Sequence, residues 1–160
     1  MKMAIEICKR IILSLFFVAT FLNAKGQHFE GIVIDVLNAN TIVVLNDDKE
    51  KKIVKLAYIE IPNTWKESGD FLKSIALAKE VVVKHLSNDR KGNIIGVVET
   101  NKGFNLNASM VHNGWALAYG KAYKKSEIHA RNYKLGIWKP KESNFNLTKF
   151  ILGASSLFLF

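Results

Sequence analysis

GIVIDVLNANTIVVLNDDKEKKIVKLAYIEIP, residues 31–62, holds three β-branched runs in close succession. Residues 31–36, 41–45 and 53–59 are rich in Ile and Val with a period-2 alternation, the pattern of strands with one face buried. Asn38, Ala39 and Asn40 punctuate the first junction, and the polar tip from Asn46 to Glu50 punctuates the second. Consecutive antiparallel hairpins, a three-stranded meander, are the economical reading.

Working outward, Pro62 ends the third strand. Residues 65–79 set Phe71, Leu72, Ile75, Ala76 and Ala78 at near-helical spacing, with Ser68, Gly69 and Asp70 as the helix start, and predict one amphipathic helix. Residues 80–86 and 94–98 are again β-branched and flank a turn at 87–93, which makes them strands four and five. Leu106 to His112 predicts a short helix capped by Asn105 and stopped by Gly114. A final helix over 126–135 stops at Gly136, with Trp138 as an apolar peg.

Five pieces of the chain together resemble one family. VLNANTIVVL (36–45) followed by VKLAYIEIPN (54–63) is similar to the signature of the staphylococcal nuclease (thermonuclease-like) family, in which a Val-x-Asp-Gly-Asp-Thr turn precedes an Arg-Leu-x-x-x-Asp-x-Pro-Glu segment. NDRKGNIIGVV (88–98) resembles its Asp-Arg-Tyr-Gly-Arg turn and following strand. NASMVHNGWALAY (107–119) and ARNYKLGIW (130–138) resemble its Asn-containing helix and its closing segment. The order and spacing of all five carry the resemblance, which spans residues 29–138. It implies a five-stranded OB-fold, a β-barrel with helices of the α+β class, and the five strands, inserted helix and two later helices read above match it.

The resemblance also assigns chemistry, position by position. Two turn aspartates and the aspartate before the proline hold calcium in the family, and Asn38, Asn40 and Glu60 stand there in this chain. Hard cations favour charged oxygen ligands, so two lost carboxylates should weaken such a site severely. Lys55 takes the place of one catalytic arginine and Asn93 the other, exchanging forked bidentate donors for a point charge and an amide. Asn63 takes the place of the glutamate that activates or positions water, and an amide is no base near neutral pH. Pro62, Gly92, Gly114, Tyr119, Gly136 and Trp138 keep the family's scaffold. A kept scaffold with altered chemistry implies a catalytically degenerate module, with calcium expected only if the ancestral site still works.

The chain of 160 residues is 49% hydrophobic, enough for one domain with a core. Its formal charge is +9, with 20 lysines and only Arg10, Arg90 and Arg131 as arginines. That balance favours a polyanionic partner, although scattered lysines also serve as ordinary edge protection. Lys55, Arg90 and Lys91 with Tyr119 as a stacking plane are the expected nucleic-acid contacts; Lys84, Lys121, Lys124 and Lys125 extend the basic surface, and Trp115 and Tyr123 are further stacking candidates. His28, His85, His112 and His129 are dispersed in sequence without metal-ligand spacing and read as surface or packing residues. Asp35, Asp47 and Asp48 lie near the ancestral site, the latter two as solubilising charges at a hairpin tip.

Residues 1–24 carry Lys2, Lys9 and Arg10 before an apolar run of about a dozen residues, which reads as an export signal. Its removal would take Glu6 with the three cations and leave +7. Leu22 sits where a small residue is preferred at a cleavage site, so an uncleaved membrane anchor is the alternative. Cys8, the one cysteine, lies within this segment. The domain is expected over 28–139. A polar linker follows, and then the apolar FILGASSLFLF from Phe150 to Phe160, too short to span a bilayer as a helix and open to docking on the barrel, a membrane interface or an envelope partner. The function expected is that of an exported thermonuclease-like binding module for nucleic acid or an envelope partner. The alternative is an active, divergent metal-dependent nuclease using Glu60, Lys55 and Arg90.

Overall fold

The computed structural model describes residues 28–62 and 65–140. The expected export signal or anchor, Asn63, and the linker and apolar tail beyond 140 lie outside the described residues.

The meander at the start of the chain forms as read. Strand β1 (His28–Asn38) pairs antiparallel with β2 (Thr41–Asn46), and β2 pairs with β3 (Lys51–Leu56). Strands β5 (Glu80–Asn88) and β6 (Ile94–Thr100) pair antiparallel; β5 returns to β1, and β6 lies parallel to β3 over Val54 to Leu56. The result is a closed barrel in the order β1-β2-β3-β6-β5, the OB-type α+β architecture.

Alternate residues of each strand point inward and fill the barrel. Val33, Ile42, Val44, Val54, Val81, Val83 and Val98 are buried, and so are Leu72 and Ala76 of helix α1 (Trp65–Ala76) and Leu106, Met110 and Val111 of helix α2 (Leu106–His112). Helices and barrel therefore share one core. Asn105 caps α2 by accepting a hydrogen bond from the Ala108 amide at 2.8 Å, and the chain then turns at Gly114, where φ is +76°.

Several boundaries differ from expectation, each for a local reason. The third strand was expected over 53–59. It runs from Lys51 to Leu56 and breaks at Tyr58, whose φ of +61° lies in the left-handed region. Beyond the break, Ile59–Glu60 forms β4, which pairs with β7 (Leu117–Ala118) in a small second sheet. Helix α1 starts at Trp65, with Ser68, Gly69 and Asp70 inside it, and ends at Ala76, before Ala78 adopts φ +59°. The last helix, α3, spans Lys124–Asn132, not 126–135, set between left-handed Tyr123 and Lys134. A short 3₁₀ turn at Gly136–Trp138 closes the domain.

Candidate functional site

Strand register brackets Lys55 between two turns: the β1–β2 turn lies at its end of β3, and the β5–β6 turn, which leads into Ile94 opposite Val54, runs back along β3 toward Lys51. Thr41 stands opposite Lys55, and Lys55 stands beside Ile95 of β6. The Leu56 amide donates to the Asn40 carbonyl at 2.8 Å, which fastens the first turn to the end of β3.

Within that first turn the two asparagines bond locally. Asn38 Oδ1 accepts from the Asn40 amide at 3.0 Å, an Asx turn, and Asn40 Oδ1 accepts from the Thr41 hydroxyl at 2.9 Å. Glu60 is exposed on β4 opposite Leu117. Among the described residues no group of three or more His, Cys, Asp or Glu side chains is placed to hold a metal ion.

The β5–β6 turn is built around Asp89. Its Oδ1 accepts from the Lys91 and Asn93 amides, both at 2.9 Å, and its Oδ2 accepts from Asn93 Nδ2 at 2.9 Å. Asn93, at the position where the resemblance places an arginine, is thus engaged as a brace of its own turn. The Asn93 side-chain hydrogen bond is the main cause holding the Asp89 carboxyl below the usual range; desolvation opposes it, and the two backbone amides and the Lys55 charge assist. Arg90 and Lys91 project from this turn and are exposed. Tyr119 is 68% exposed, and its amide donates to the Tyr58 carbonyl at 2.9 Å, which sets it at the β4–β7 edge.

Other candidates are used elsewhere. Lys124 Nζ lies 2.8 Å from Glu127 Oε2, and Arg131 lies 2.7 Å from Glu127 Oε1 while its guanidinium sits 4.2 Å above the Trp138 ring. Trp115 packs against the core, its ring 6.1 Å from that of Phe71. Tyr123 is half-buried, and desolvation pushes its hydroxyl pKa up. The histidines, scattered in sequence, are partly gathered by the fold: His112 and His129 stack at 3.9 Å, and Tyr133 continues the stack at 4.5 Å from His129.

Asn107 is the residue that sequence reasoning left without a role. It is fully buried; its Oδ1 accepts from the Val98 amide at 3.0 Å, and its Nδ2 donates to the Ala57 carbonyl at 2.9 Å and the Gly96 carbonyl at 3.1 Å. It therefore holds the chain where β3 leaves the barrel, directly after Lys55 and Leu56. An amide between Leu106 and Met110, on the helix face that enters the core, was the available signal.

Barrel, helices and this face together define the class, an OB-type domain that presents Lys55 between the Asn38–Asn40 turn and the Asp89–Asn93 turn. The chain belongs to the staphylococcal nuclease homologue family, which it matches over residues 53–140. It is 33% identical over 118 residues to a protein of Escherichia coli described as an uncharacterized endonuclease, covering 68% of this chain and 76% of that one. It is 31% identical over 127 residues to protein ParB of Escherichia coli, covering 68% of this chain and 71% of that one. The family match includes Lys55, Glu60 and the Asp89–Asn93 turn.

Proposed function

We propose that this nuclease-family protein binds nucleic acid through the face formed by Lys55, Arg90, Lys91 and Tyr119 and does not cleave it by the family's calcium mechanism. The observation that carries this reading is the engagement of Asn93. Where a free forked cation would meet developing charge on phosphorus, the chain has an amide bonded to Asp89. The donor set does not fit calcium either. Asn38 and Asn40 bond within their own turn and carry no charge, which leaves Glu60 as the one carboxylate of the three positions. What remains is a basic, aromatic-edged surface of the kind that holds phosphates and stacks bases. Export through residues 1–24 is part of this proposal, and the envelope partner is its fallback where nucleic acid is not bound.

A second reading rests on the Escherichia coli relative's description as an endonuclease: a divergent metal-dependent nuclease in which Glu60 supplies the carboxylate and Lys55 and Arg90 the cations. One experiment separates the two. The full chain is incubated with single-stranded DNA, duplex DNA and RNA in calcium, magnesium, manganese or chelator, and cleavage and binding are both measured. Salt-sensitive binding without cleavage supports the binding module. Metal-dependent cleavage that disappears in Glu60→Gln replaces it with the divergent nuclease.

A further inference from the structure

The outward face of β3 presents Lys51, Ile53 and Lys55 on alternate residues, all exposed. Lys55 stands at one end of this track. Lys51 stands at the other, four residues or ~13 Å away at ~3.3 Å per residue.

At the Lys51 end the barrel opens into a groove of 670 Å³ to which every barrel strand contributes an end. That volume falls within the roughly 300–1,000 Å³ of sites for small ligands. The β2–β3 hairpin forms one wall and is well braced: Asn46 Oδ1 accepts from the Glu50 amide at 2.8 Å, and Lys52 lies 2.8 Å from the Glu50 carboxylate. The Lys52 hydrogen bond and charge hold the Glu50 carboxyl below its usual range, so this acid is matched within the hairpin. Lys51 and Lys91 then line the groove against one further acid, Asp48, with Phe29 and Ile53 as apolar lining.

We infer that the groove is a second nucleic-acid subsite, reached along β3 from Lys55. It rests on the binding reading above and adds a polarity to it. A strand held at Lys55 continues across Ile53, beside the Asp89–Asn93 turn whose Lys91 and Asn93 also line the groove, and sets a later phosphate, ~13 Å on, against Lys51, with a base on the apolar lining. The ligand is single-stranded, because the apolar residues of the track and groove, Ile53 and Phe29, need the base faces that a duplex keeps stacked.

The test uses the full chain in chelator with fluorescent oligothymidylates of about 2 nucleotides, shorter than the ~13 Å between Lys55 and Lys51, and of about 16 nucleotides, the upper site size for one OB fold. Wild type is compared with Lys51→Ala and Lys51→Glu, which alter an exposed residue at the first position of β3. The longer oligonucleotide should bind wild type more tightly than the shorter, and both variants should lose that advantage while keeping wild-type affinity for the shorter. Loss of one phosphate contact lowers the log–log salt slope by ~0.7, so in Lys51→Ala the change in affinity between about 50 and 200 mM salt shrinks about 2.6-fold. Unaltered affinity and slope for the longer oligonucleotide in both variants overturn the subsite and leave the binding reading intact. Failure of wild type to bind either oligonucleotide overturns both.

Discussion

Replacing Asn107 by alanine should be among the most damaging single changes in this domain. Pairing of β3 with β6 stops at Leu56 and Gly96, so the next β6 amide facing that side, that of Val98, has no strand partner, and the Asn107 side chain supplies one. The same side chain satisfies the Ala57 carbonyl. The Gly96 carbonyl keeps a second donor, the Ala57 amide at 2.8 Å, and so survives the change. Two buried backbone groups are left unpaired at about 1–3 kcal/mol each, giving a loss of about 4 kcal/mol near the middle of the range. In equilibrium urea unfolding with a slope of about 2 kcal/mol/M, the midpoint falls by about 2 M. Asn132→Ala, at the exposed end of α3, should shift stability by less than about 0.5 kcal/mol and serves as the control. A loss below about 1 kcal/mol for Asn107→Ala at unchanged slope would refute the reasoning, since Val98 and Ala57 would then have found other partners.

Further outcomes are equally specific. A Cβ at Gly114 would stand 2.2 Å from the Leu135 carbonyl oxygen, and one at Gly136 would stand 2.3 Å from the Gly114 carbonyl oxygen, both at positive φ, so Gly114→Ala and Gly136→Ala should each cost about 3 kcal/mol or more in thermal or urea unfolding. Glu127 is buried, and its carboxyl is held low chiefly by the Lys124 hydrogen bond, with Arg131 assisting and desolvation opposing. Because the folded state lowers this pKa, its stabilisation is full above the unfolded value of about 4.3 and fades as pH falls through the folded one. Glu127→Gln should therefore lie below wild type in stability at pH 7 and converge with it in acid; a constant gap between the two curves would exclude the linkage. If calcium takes no part in binding, replacing it with chelator leaves oligonucleotide affinity unchanged, and a drop in affinity would restore the metal to the site.

The fold was legible where its signals are local. β-Branched runs with turn residues between them marked the strands of the meander, and Asn105 and Gly114 bracketed α2 as read. Boundaries slipped where the backbone enters the left-handed region at residues that do not announce it, as at Tyr58, Ala78 and Tyr123. The side-chain types at the family positions were also plain in the sequence. Two of their partners were within reach as well, since Asp89 lies four residues before Asn93 and Glu127 three residues after Lys124, but a helix start read at 126 left Lys124 outside the helix and its pair unread.

The amino-acid sequence by itself determined the five barrel strands and three helices, the family resemblance and the exchange of charged for neutral groups at Asn38, Asn40 and Asn93, because periodicity, turn chemistry and side-chain ionisation are properties of short stretches. Tertiary structure decided which polar groups meet. Asn107 bonds to Ala57 fifty residues away, β4 finds β7, His112 finds His129, and every barrel strand contributes an end to one groove, because these contacts depend on barrel closure and register, which no short stretch contains.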